Sequence, residues 1–92
     1  MKERPDIEEY VVYCLYSMTY DKIYIGFTSN LIGRFASHNE LGKKGFTRRY
    51  RPWVVIYVEF CDNKREALKR EKRLKQPNGR AEMRKIVGLL SD

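Results

Sequence analysis

Tyr10-Val11-Val12-Tyr13-Cys14-Leu15-Tyr16, a polar break from Ser17 to Lys22, and then Ile23-Tyr24-Ile25-Gly26 form the stretch whose periodicity decides the fold. β-Branched and aromatic residues dominate the first run, and alternation sets Val11, Tyr13 and Leu15 on one face against Tyr10, Val12, Cys14 and Tyr16 on the other. Both faces are apolar, so the predicted strand exposes little surface. The break contains Thr19 and Asp21, and alternation resumes at Ile23, which predicts an antiparallel hairpin. Gly26 either ends the second strand or lets another stretch of chain approach it closely.

Downstream, Thr28, Ser29 and Asn30 are competent N-caps, and Leu31, Ile32 and Phe35 predict a short amphipathic helix to about Asn39, with Arg34 and His38 one turn apart. From Gly42 to Pro52 a loop carries Lys43, Lys44, Arg48, Arg49 and Arg51 and no acid. Trp53 to Cys61 reads as a third strand, Val54, Ile56, Val58 and Phe60 opposing Val55, Tyr57 and Glu59. Asn63 followed by Glu66 is a capping-box start for a helix to about Gln76, where Pro77-Asn78-Gly79 terminates it. A last helix, from about Arg80 to Leu90, is expected to bury Met83, Ile86, Val87 and Leu90. The fold class is therefore α+β: a small three-stranded, mainly antiparallel sheet flanked by helices in the order ββαβαα.

The length of 92 residues predicts one small domain over residues 1–92, with residues 1–9 as an N-terminal tail. Cys14 and Cys61 fall within apolar runs and are expected to be buried thiols rather than a disulfide or zinc ligands. Without an apolar run of about 20 residues or a signal-peptide pattern, a soluble, cytoplasmic protein is expected, with no membrane partner. Net charge is +7, yet the first ten residues hold Lys2 and Arg4 against Glu3, Asp6, Glu8 and Glu9, leaving +9 on the remainder. A basic body of this kind favours a polyanionic partner, nucleic acid first.

One carboxylate departs from the pattern. With Ala67 as zero and 100° per residue, Glu71 lies at about 40° and Leu74 at about 340°, so Glu71 projects from the apolar stripe. A carboxylate held against a sheet costs several kcal/mol unless a cation or metal compensates it. Glu66, by contrast, is explained as the N3 residue of a cap.

The tripeptides Val11-Val12-Tyr13 and Tyr24-Ile25-Gly26 carry a family resemblance. So do Asn30-Leu31 with Arg34, His38-Asn39, the basic loop, and Glu66-Ala67-Leu68 leading to Glu71. In order and spacing the chain resembles a stand-alone GIY-YIG nuclease domain from Tyr10 to about Leu89. The first tripeptide departs from the family pattern in having Val11 where the family has glycine. The resemblance implies a three-stranded sheet flanked by helices and metal-dependent cleavage of DNA with one magnesium or manganese ion. It implies that Tyr13 and Tyr24 line the site, Arg34 binds the scissile phosphate, His38 supports proton transfer and Glu71 ligates the metal. Tyr24 is the expected contact of the attacking water, with Tyr13 positioning and His38 a competing base.

Lys43, Lys44, Arg48, Arg49 and Arg51 are the expected phosphate contacts, with Phe46, Tyr50 and Trp53 available for base stacking and Trp53 equally suited to the core. The leading expectation is a structure-directed DNA endonuclease in repair or processing, with RNA left open as a substrate and a homodimer or protein partner for targeting. Two rivals stand beside it: a non-catalytic nucleic-acid-binding module on the same scaffold, and a protein-interaction domain whose charge serves solubility.

Overall fold

A computed structural model describes residues 9–36, 38–39 and 46–90 of the chain. Three strands, β1 (Tyr10–Ser17), β2 (Lys22–Thr28) and β3 (Val54–Cys61), form one sheet in the order β2-β1-β3 with both pairings antiparallel. The predicted hairpin is β1–β2, registered with Tyr13 opposite Gly26 and Leu15 opposite Tyr24. Asp21 closes its turn at φ 56°, a left-handed conformation that aspartate tolerates better than most residues.

Because β1 is central and apolar on both faces, the core divides into two layers. Val12 and Cys14 face a cluster with Ile23, Ile25, Ala67, Leu74, Met83 and Val87, while Tyr13 and Leu15 pack with Trp53 on the opposite face. Helices α3 (Lys64–Leu74) and α4 (Pro77–Leu90) cover the first face; Leu31 and Phe35 of α1 (Leu31–Ala36) lie over the second. The order ββαβαα holds, and the loop before β3 contains one further turn of helix, α2 (Phe46–Arg49).

Four local expectations are corrected. The register of β3 steps from Tyr57 opposite Cys14 to Val55 opposite Leu15, so Ile56 is an extra, bulged residue. A bulge reverses the alternation beyond it. Val58 and Phe60 consequently share the Tyr13 face, whereas Ile56 packs with Tyr57 in the Val12 cluster. Second, α1 is α-helical only to Ala36, while His38 and Asn39 beyond it have the wider π-helical geometry, so His38 is not one α-helical turn along from Arg34.

Third, Pro77 opens α4 instead of merely ending α3, because the first helical position needs no N–H and its fixed φ suits the helix. Fourth, Leu90 is 63% exposed, since the core cluster on α4 ends at Val87.

The cap of α3 is the predicted one: Asn63 Oδ1 accepts from the Glu66 backbone N–H at 2.9 Å. Asn30 caps α1 in the same way, accepting from the Gly33 N–H at 3.1 Å. Among the described residues no helix is long and apolar enough to cross a membrane.

Candidate active site

The site grows from a single side chain on the central strand. Tyr13 is buried, and its cross-strand neighbour is Gly26. A Cβ at position 26 would lie 2.8 Å from the Tyr13 hydroxyl oxygen and 3.2 Å from Cε2 of Tyr24. The missing side chain therefore lets the Tyr13 ring lie across β2, which is the close approach that a mid-strand glycine allows.

Gly26 sits within β2 and does not end it. Tyr24, two residues earlier on the same face, brings its ring to 6.3 Å from that of Tyr13. His38 packs against both rings, 4.8 Å from Tyr24 and 5.9 Å from Tyr13 between centroids.

His38 Nε2 lies 3.0 Å from the Tyr13 hydroxyl oxygen. Burial, and then the negative charge that Tyr24 would carry, push the Tyr13 phenol up to about 12; the Arg34 guanidinium pulls it back and Glu71 adds to the rise. Burial also pushes His38 below its ordinary value, and the positive charge of Arg34 acts in the same sense. Near neutral pH the pair is a phenol beside a neutral imidazole. In the tautomer that carries its proton on Nδ1, Nε2 accepts from the Tyr13 O–H.

Tyr13, Tyr24, Arg34 and Glu71 share the walls of an open cleft of about 300 Å³, with His38 reached through Tyr13. Arg34 projects from the last turn of α1 and is exposed. Glu71 comes from the opposite side, on α3, with its side chain only 18% exposed and its carboxylate 3.2 Å from Lys75 Nζ. The compensation its stripe position demands is thus met by a lysine one turn along the helix.

Among the described residues no three His, Cys, Asp or Glu side chains gather in a metal-binding group. Glu71 is the carboxylate that the cleft offers to a cation.

Other predicted contacts separate. Arg48 and Arg49 are exposed on α2, with Arg49 over the Tyr50 ring at 5.9 Å. Arg51 donates from Nε to the His38 carbonyl at 2.8 Å, bracing the histidine's backbone. Lys43 and Lys44 lie outside the described residues. Trp53 is 1% exposed and its Nε1–H donates to the Thr47 carbonyl, so it is core and not a surface for bases.

Two residues were given no role of their own in the sequence. Lys64, the first residue of α3, lines the cleft beside Glu71. Asn39 accepts the Trp53 N–H at 2.6 Å and donates to the Trp53 carbonyl at 3.0 Å, pairing like a short strand immediately before β3 begins. A side-chain amide offering one donor and one acceptor to a distant backbone leaves no periodic trace.

Residues 9–85 match the family described as the GIY-YIG catalytic domain. The chain is also similar to several UPF0213 proteins, among them the following three. That of Desulfotalea psychrophila is 36% identical over 75 residues, 80% of this chain and 64% of that protein. That of Oceanobacillus iheyensis is 40% identical over 70 residues, 75% and 79% of the two chains. That of Staphylococcus haemolyticus is 36% identical over 55 residues, 60% and 67%.

Proposed function

The chain belongs to the GIY-YIG family, and we propose that it is a divalent-metal-dependent endonuclease that hydrolyses DNA phosphodiester bonds selected by structure rather than sequence, in repair or processing. One observation carries this reading: the Tyr13–His38 contact of 3.0 Å opens onto a cleft shared with Arg34 and Glu71. Hydrolysis requires a proton acceptor for water, a fixed positive charge for the phosphoryl oxygens and a site for the scissile group. These residues offer all three.

Arg34 would donate to a non-bridging phosphate oxygen, its planar fork keeping its charge at any working pH. Water attacks phosphorus as its proton passes to the Tyr13 oxygen while the Tyr13 proton moves to His38 Nε2; the new O–P bond forms and the bond to the departing DNA oxygen breaks. A phenol with its pKa pushed up to about 12 is a poor free base, and the neutral imidazole behind it supplies the missing basicity. That exchanges the roles expected from sequence, leaving Tyr24 to position the water. Lys64 adds a second cation for the phosphate.

A single acidic side chain at an open cleft fits a hydrated hard cation shared with phosphate oxygens better than a cage made of protein alone. Magnesium or manganese held by Glu71 would supply charge neutralisation at the phosphoryl and leaving oxygens. The Glu71–Lys75 pair favours a second reading, a DNA-binding module that does not cut, because it satisfies the carboxylate without an ion.

Branched, flapped, single-stranded and plain duplex DNA incubated with wild type, Glu71→Gln and Arg34→Ala, in magnesium or manganese, separates the two readings. Cleavage should fall on the order of 10²-fold or more in each variant while binding by Glu71→Gln persists. Wild-type protein that binds these DNAs and nicks none of them would falsify the nuclease reading. Cleaving both strands calls for a second copy or a protein partner.

A further inference from the structure

From Lys69 onward, the cations of α3 and its C-cap fall into two groups. Arg70 is bound to Glu59, with Nε 2.7 Å from the carboxylate, and Lys75 just beyond the helix is bound to Glu71. Lys69, Lys72 and Arg73 make no ion pair with any described residue. These three line a recess of about 600 Å³ between α3 and α4, which Gln76 of the connecting turn and Asn78 of the first turn of α4 also line, with Glu82 the acid among its lining residues. Gly79 keeps the two helices close there, since a Cβ on it would meet the Leu74 backbone at 2.5 Å.

From this we propose that the α3–α4 groove is a second binding site for the sugar-phosphate backbone of duplex DNA, distinct from the cleft; the identity of the polyanion rests on the nuclease reading. On the helix, Ala67 and Leu74 mark the buried side, and Glu71 lies about 40° from Ala67. Lys69 lies at about 200°, Arg73 at about 240° and Lys72 at about 140° on the same scale. The groove and the cleft therefore open on different sides of a helix about 10–12 Å thick, and one phosphate cannot reach both.

Lys69 and Lys72 are an i,i+3 pair and Lys69 and Arg73 an i,i+4 pair, like charges that destabilise the helix unless an anion lies between them. The recess supplies room for that anion, and the side-chain amides of Gln76 and Asn78 add neutral donors for phosphate oxygens. Two separated backbone contacts suit a substrate with two arms, or a duplex bent around α3.

Fluorescence anisotropy with labelled duplex and branched DNA, in buffer without divalent ions and over a series of salt concentrations, tests the site. Lys69→Gln/Lys72→Gln/Arg73→Gln should flatten the slope of log K against log[salt] by about 2.7, or about 0.9 for each lost phosphate contact. Lys85→Gln, an exposed change on α4 outside the groove, should leave the slope unaltered. An unchanged slope in the triple variant overturns the site, as does a Lys85→Gln effect equal to one-third of the triple variant's, which would mark a response to net charge. Because no cutting is measured, the groove can hold while the nuclease reading fails, or fail while wild type still cleaves.

Discussion

At the scale of single residues, Tyr13, Gly26 and His38 make one unit in which each explains the next. The absent Cβ at Gly26 leaves room for the Tyr13 ring, and the buried ring brings its hydroxyl to His38. The family resemblance put Tyr13, Tyr24 and His38 in one site, but periodicity within each strand did not fix their register, and the histidine's partner lies 25 residues away. His38 is the chain's only histidine, so its ring can be followed alone by NMR. Its midpoint should fall below 6.5, because burial and Arg34 both disfavour the imidazolium.

A pKa depressed on folding means that the unfolded chain binds more protons below about 6.5, so this contribution to stability is complete above that pH and is lost as pH falls. A midpoint at or above 6.5 would overturn the account of the site's electrostatics.

At the scale of elements, the α3–α4 corner decides how the helices cover the sheet. Pro77 starts α4 where the sequence reads as a stop, because the same residue can terminate one helix and open the next. The atoms that would meet a side chain at Gly79 are the Leu74 Cα and carbonyl, backbone that cannot turn aside. Gly79→Ala should destabilise the protein by about 1–3 kcal/mol through overpacking, read as a lower denaturant midpoint.

Gly88→Ala is the matched comparison, for nothing lies within 4 Å of its added Cβ. On helix propensity alone it should stabilise by about 0.5–1 kcal/mol. Equal effects from the two changes would mean that helix propensity, not the close approach, governs this corner.

At the scale of the whole molecule, the two-layered core has a pH limit. Tyr13 and Cys14 are consecutive residues of β1 pointing into opposite layers, and burial is the main cause that pushes each up to about 12. Groups whose pKa values rise on folding contribute fully below their unfolded values, near 9 for the thiol and 10 for the phenol, and that contribution is lost as pH rises toward 12. The denaturant midpoint should therefore fall progressively between pH 9 and 12, and a constant midpoint across that window would contradict burial of both groups.

The sequence by itself determined the strands of the hairpin, the division of β1 into two apolar faces, the Asn63 cap and the placement of Glu71 on the inner side of α3. Each depends on local periodicity or on a side chain bonding its own backbone. Tertiary structure alone decided the bulge at Ile56, the Asn39 bridge to Trp53 and the inward turn of His38. Those outcomes depend on which groups packing brings within hydrogen-bonding or ion-pairing distance, and spacing along the chain does not measure that distance.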